Sequence, residues 1–567
     1  MITMKHFIYL FCILFAVTLT ACEDTLTEKP DSYYEKDNFF VSESNAEMAI
    51  TGVYDVLATL SHYGQCEMAM PCSDDTYFIN GTGTDNTRRD ISHYTLTANN
   101  EWISNVWKAK YLGINRANYA IEGIKSMPDY ESNTKLKSLV GEAHFLRAML
   151  AFDLVRYWGD VPFKITYSTG YADASAPRVD RELIYDQIIA DLDVAKSALP
   201  WAEAGSSPER ATQGSARALL MRVLAQRAGY SLHMNGKLER PDEEKRTAYF
   251  TSIIKEWEEF QKNGYHNFYA QGYLELFKGF SFGTLNSKES LWEIAFYTAD
   301  GKVADNSSNW GTYNGPMVAA PSVSSTETGN FMGRANAFFR VVPAWKAFFE
   351  DQDERREVMV CTYQYKWDKK KYAHVKYENS KDVAKEQWYP GKWRREWMPL
   401  GFVNPNNVDV NFCFLRYSDV VLLAAEAYNE THQTEEAWKL LNKVRERAHA
   451  TPIAPENYAS LLKAPKVLDL PFIDDSNEEG KFRTALYWER GFELAFEGQR
   501  KYDLIRWGIL KEALVLTEEH MPEGVQSPNP AYIAGSQFIS GKHELFPIPL
   551  DEMQLNKKLE GIQNPGY

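Results

Sequence analysis

The residues best suited to chemistry in this 567-residue chain are aromatic and polar side chains that share Gly- and Asn-rich stretches. Between residues 73 and 102, Asp74, Asp75, Tyr77, Asn80, Arg88 and Arg89 fall in a segment without helical or strand period, and Trp102 lies just beyond. In "NWGTYNG", Trp310, Tyr313 and Asn314 stand among glycines that leave little core to build. Flat apolar rings beside Asn, Asp and Arg suit a sugar. The rings can cover the C–H face of a pyranose, and the polar groups can bond its hydroxyls. Asp75, Tyr77, Arg88, Trp102, Trp310, Tyr313 and Asn314 are therefore the candidate ligand-binding residues. Trp107 is spaced with Tyr111 and Ile114 and belongs to a helix core, whereas Trp393 and Trp397, in "GKWRREW", fit either a rim or a partner surface.

Catalytic patterns are absent from the sequence. There is no HExxH, no GxSxG and no phosphate loop, and "GTGTD" at 81 to 85 lacks the strand and helix that a dinucleotide site needs. Cys66 and Cys72 have no second pair to complete a zinc site, though they are close enough to form a disulfide in an oxidising compartment; spacing does not decide it. His62 reads as a loop histidine. Glu489, Arg490, Glu493, Glu497, Arg500, Asp503 and Arg506 recur at helical spacing. Paired carboxylates there could be read as a glycosidase dyad, but i,i+3 and i,i+4 ion pairs account for the spacing better. Arg147 and Asp153 read likewise as a helix-packing network. No cofactor is expected, no metal site is indicated, and a structural calcium has no support in the residue pattern.

The formal net charge of −15 and pI near 5.4 argue against a nucleic-acid partner and against adhesion to anionic lipid. The first residues are nevertheless membrane-directed. Lys5 and His6 precede an apolar run from Phe7 to Leu19, too short to cross a ~30 Å hydrocarbon layer as a helix. The run ends on Leu19-Thr20-Ala21-Cys22, similar to a bacterial lipobox, so residues 1–21 read as a removable signal and Cys22 as the lipidated residue.

The elements that must position the candidate residues are mostly helices. After a polar tether over 22–43, "SNAEMAITGVYDVLATL" has helical spacing from Met48 to Leu60 with Ser44 as N-cap. Long helices follow from "EWISNVWKAKYLGINRANYAIEGIKSM", from "TKLKSLVGEAHFLRAMLAFDLVRYW" up to Gly159 and Pro162, and from two further segments to about 230. Paired helices of this length predict a mainly α, tetratricopeptide-like array. An N-terminal helical region over 44–235 is followed by a C-terminal region over 236–567. The latter includes an irregular aromatic segment, 265–410, with a few short strands such as "SLWEIAFYT". Helices return at "LRYSDVVLLAAEAYNE", "TEEAWKLLNKVRERA" and "FRTALYWERGFELAFEGQRKYDLIRWGIL".

These segments closely resemble the SusD/RagB family of outer-membrane nutrient-binding lipoproteins. The resemblance rests on five blocks in the family's order: the lipobox at Cys22, Gly141 to Phe163, "RATQGSARALLMRVL", the "LRYSDVVLLAAEA…LNKVRERA…ERGFELAFEGQRKYDLIRWG" series, and the terminal "PIP…QNPGY". It implies a non-enzymatic protein, anchored to the outer membrane by lipid and facing the exterior, as Glu23 and Asp24 after the cysteine also suggest. Such a protein captures oligosaccharide and delivers it to a SusC-type TonB-dependent transporter. It also implies a ligand site on one face, built from loops of the two regions named above. Peptide capture by the same assembly is an alternative, and a surface glycoside hydrolase a more remote one.

Overall fold

The computed structural model describes residues 39–78, 83–170, 175–298, 306–378, 388–461, 476–520 and 532–567. Cys22, the signal segment and Asn80 lie outside them, as does most of the tether. Helices dominate, and each strand pairing found among the described residues is a two-stranded one, in line with the mainly α expectation.

Capping residues set the helix starts. Asn100 Oδ1 accepts from the backbone N–H of Trp102 and Ile103 to open Glu101–Lys125, and Asn133 does the same for Lys135 and Leu136 to open Thr134–Trp158. Asp180 opens Arg181–Ala198, and a Thr212–Ser215 capping box opens Gln213–Ala228. The Thr134–Trp158 helix is buried on all sides from Leu139 onward, as only a central helix can be. It packs against Glu43–Leu57, Glu101–Lys125 and Arg181–Ala198, and Arg181–Ala198 in turn against Gln213–Ala228. It ends at Gly159, whose φ of 71° and close approach to the Arg181 guanidinium suit a residue without a Cβ.

The first helix corrects the sequence reading by two residues. Ser42, not Ser44, is the N-cap of Glu43–Leu57, and Met48 faces solvent while Ile50, Val53, Val56 and Leu57 are buried. The final long segment is two helices, Glu478–Leu494 and Arg500–Arg506, separated at Phe496 and Gly498, both with positive φ.

A buried ionic lattice ties these helices to their neighbours. Glu493 receives Arg355, Arg416 and Arg447; Glu489 receives Arg355 and Arg445; Glu497 receives Arg416 and Lys392. Asp419 is held between Arg222 and Arg490, and Asp503 between Arg490 and Arg506. The arginines hold the carboxyls of Glu493 and Asp419 below the usual range despite burial, the latter at about 2. Carboxylates held ionised in this way, Glu493 and Asp419, are poor general acids near neutrality and are engaged in ion pairs, as the helical spacing leads one to expect. Arg147 and Asp153 are also architectural. Arg147 pairs with Asp191, and Asp153 with Arg156 and the fully buried Lys110, which also binds Glu67. His62 lies in the same pocket, its Nε2 3.1 Å from Lys110 Nζ. Cys66 and Cys72 are free, buried thiols, and burial pushes the Cys72 thiol up to about 12.

Candidate functional site

Two distant stretches meet through one short pairing: Thr76–Phe78 runs antiparallel to Phe339–Val341, with Tyr77 opposite Arg340 and Phe78 opposite Phe339. Phe339 N also donates to Tyr313 O, and Ala337 N to Thr312 O, so the "WGTYNG" turn lies beside the same strand. That turn needs its glycines. Gly311 has φ 78°, and a Cβ on Gly315 would fall 2.3 Å from Gly311 O and 2.5 Å from Trp393 O.

The pairing assembles a patch of aromatic rings around one guanidinium. Arg88, at the start of the short Arg88–Ser92 helix, places its Cζ 4.1 Å from the ring centre of Phe338. The same atom lies 5.5 Å from Phe78, 5.7 Å from Trp102 and 6.0 Å from Tyr313. Phe338 meets Tyr313 edge to face at 4.7 Å and stacks on Phe78 at 6.0 Å. Gln65 Nε2 donates to Tyr313 Oη at 3.3 Å and to Asn309 Oδ1 at 2.7 Å, which fixes the tyrosine. Burial pushes the Tyr313 hydroxyl up, while Arg88 and then Arg334 pull against it, so both guanidinium charges act at this ring. Gln65, Arg88, Tyr313, Arg334 and Phe338 are all half-buried. Such a surface can stack a pyranose ring and donate hydrogen bonds to its substituents.

The structure divides the sequence candidates. Arg88 and Tyr313 are brought together in the patch. Trp102 and Tyr77 are buried: Trp102 lies under Arg88, and Tyr77 sits in the strand pairing. Asp75 is buried as well and accepts from Phe496 N at the break between the two C-terminal helices. Burial, then the neighbouring Asp74, raises its carboxyl to about 6. Asp74 itself binds Arg500 at 2.8 Å. Asn314 turns inward to accept from Gly311 N at 2.8 Å.

Trp310 is corrected most strongly. Only 3% exposed, it stacks on Phe412 at 4.2 Å and 8°, and its Nε1 donates to Tyr63 O. It is core rather than platform. Trp393 is fully buried against it, which removes the rim or partner role, and Trp107 is core as expected. Phe338 and Arg334 were missed, because the second candidate segment stopped at 315. The signal available was the strand-like "FFRVV" at 338–342.

No group of three or more His, Cys, Asp or Glu side chains could hold a metal among the described residues. The larger recesses lie elsewhere. A cavity of about 400 Å³ is lined by Tyr111, Asn115, Asn118 and Phe163, and an open acidic one of about 660 Å³ by His432, Glu435, Glu436 and Glu479.

Comparison with known proteins gives a consistent outcome. A family model described as "SusD family" matches residues 288–567, and one described as "Starch-binding associating with outer membrane" matches 24–224. The curated SusD-like protein P2 of Formosa agariphila is 27% identical over the whole of both chains. A solved SusD homolog from Bacteroides thetaiotaomicron is 27% identical and superposes with a TM-score of 0.77, covering 94% of this chain and 98% of its own. A structure described as a laminarin-binding SusD-like protein shares the fold at a TM-score of 0.64, with 23% identity over 93% of this chain and all of its own. With matches in both halves, a full-length curated relative and a shared fold, the chain belongs to the SusD family.

Proposed function

We propose that this protein is a surface glycan-binding lipoprotein that holds oligosaccharide on the Arg88–Tyr313–Phe338 face and delivers it to a SusC-type TonB-dependent transporter. The observation that carries the reading is the patch itself: solvent-facing rings and a guanidinium, in a family whose solved members include glycan binders. The role is binding without turnover. Glu493 and Asp419 of the helical lattice are pinned by arginine and held below the usual carboxylate range, and the patch offers donors and rings but no acid–base pair among the described residues. Cys22 would carry the lipid, and the polar stretch after it would tether the body to the outer membrane.

Titration calorimetry of the protein lacking residues 1–21 against a panel of oligosaccharides and peptides tests the binding role. A saturable glycan isotherm is expected, weakened in Tyr313→Ala and Phe338→Ala. Unchanged affinity in both variants removes the patch from the site, and peptide binding alone replaces the glycan reading. Cys22→Ser should release the protein from the membrane fraction. Co-purification of the wild type with a TonB-dependent transporter checks the delivery step.

A further inference from the structure

Arginines in this protein fall into two states. Most in the helical body end on carboxylates. Arg88, Arg89 and Arg334, all on the loop face, make no ion pair among the described residues. Arg88 makes no side-chain hydrogen bond there either; its Nε is buried without a partner and its guanidinium is stacked on Phe338. Arg89 donates to Gly83 O at 3.1 Å, and its Nε too is buried and unpartnered. The Arg334 side chain makes a single hydrogen bond among the described residues, from Nε to Asn406 Oδ1 at 3.3 Å. The carboxylates on the same loop do not neutralise them. Asp90 accepts from the backbone of Asp85 and Asn86, and Asp85 from that of Thr87 and Arg89. Beneath them, Arg340 is buried over Tyr389 without an ion pair among the described residues, adding positive charge under the face.

This concentration of free cations stands on a chain of net charge −15, so it is a local arrangement and not a by-product of composition. An uncharged sugar needs hydrogen-bond donors, which Asn, Gln or backbone would supply with less desolvation. Unpaired guanidinium forks matched to planar or tetrahedral oxyanions are the arrangement that selects carboxylate or sulfate. Stacking on aromatic rings keeps Arg88 in place without a carboxylate partner and leaves its terminal nitrogens available to ligand.

We infer that the Arg88–Tyr313–Phe338 face takes an anionic glycan, one bearing uronate or sulfate groups, with the ring on the aromatics and the acid group between Arg88 and Arg334. This rests on the glycan reading proposed above. It deepens that reading by assigning the ligand's charge.

The test is titration of the mature protein with three probes: oligogalacturonate, sulfated dextran fragments and neutral laminari-oligosaccharides, each at low and high salt. An anionic probe is expected to bind at least about tenfold more tightly than the neutral one, equivalent to ~1.4 kcal/mol, with the preference shrinking in high salt. Which of the two anionic probes binds tells uronate from sulfate. Arg88→Gln and Arg334→Gln should each lower anionic affinity severalfold, and the double variant should erase the preference. Unchanged melting temperatures exclude misfolding; should Arg88→Gln fail to fold, Arg334→Gln and the salt dependence carry the same test. If the neutral probe binds as tightly as either anionic one, the charge assignment falls while the glycan reading stands. If none binds and an acidic peptide does, both fall.

Discussion

The helical body and the loop face treat the same residue in opposite ways. In the body Arg416 reaches Glu289, Glu493 and Glu497, with every one of these groups buried. On the loop face Arg88 rests on Phe338 with no acid partner among the described residues. Desolvating an arginine costs less with carboxylates around it, and the resulting lattice fixes one packing of helices. A half-buried arginine on a ring avoids that penalty and keeps donors to spare. The difference separates charge that builds the fold from charge that can meet a ligand.

Arg416→Met should break the body most severely. It strips a cation from three buried carboxylates, and losing one partner of a buried pair costs about 3–5 kcal/mol. Chemical denaturation should show a large fall in midpoint or no folded protein. The matching change on the loop face, Arg88→Gln, should shift stability by only about 0.5 kcal/mol. Equal losses in the two variants would erase the contrast.

Trp310→Ala comes next. The ring is packed between Phe412 and Trp393, and truncating a buried tryptophan costs about 3–5 kcal/mol, varying with how far the site collapses. Thermal melting should show the loss. A variant that melts like the wild type yet no longer binds glycan would return Trp310 to the site.

Tyr313→Ala should separate binding from stability. About tenfold weaker glycan binding is expected, ~1.4 kcal/mol, with only a small fall in melting temperature because the ring is half-buried at the edge of the core. Calorimetry and a melting curve on the same sample check both halves of that statement.

How far these positions could be read from sequence follows from the range of the forces that place them. Helices were legible from their periodic runs but their caps less so: Ser44 was read where Ser42 caps, and Asn100, Asn133 and the Thr212–Ser215 box were not singled out. The ion-pair character of Glu489 to Arg506 was legible too, although the partners Arg355, Arg416, Arg445 and Arg447 come from other segments. The fate of each loop aromatic was not. Trp310 and Tyr313 are three residues apart in one glycine-rich turn, yet one stacks on Phe412 and the other meets Phe338. Phe412 lies on a strand and Phe338 just before one, and only long-range pairing brings them near. Phe338 escaped notice for the same reason, since it joins the patch through the pairing of Phe339–Val341 with Thr76–Phe78.

Glu293 offers the finest test of the pairing rule, because it is a buried carboxyl that departs from it. It is buried on the Ser290–Ile294 strand, with no cation paired to it among the described residues. Asn411 Nδ2 bridges its Oε2 to Glu209 Oε1 at 3.0 Å each, and its Oε1 has no partner there. Burial raises its carboxyl from 4.5 to about 7, with Glu209 adding to the rise. A carboxyl whose pKa is raised by folding contributes its full stability below 4.5 and loses it as pH climbs through about 7. Asp419 behaves in the reverse sense. Its folded-state value of about 2 adds stability above 3.8 that disappears as pH falls towards 2. Glu293→Gln keeps the shape and removes the ionisation, so it should raise the melting temperature modestly at pH 8 and leave it unchanged below about pH 4.5. Melting curves of wild type and variant across pH measure the difference directly. A variant that is less stable at pH 8 would show that the ionised carboxylate is held by a cation, and Glu293 would then follow the pairing rule.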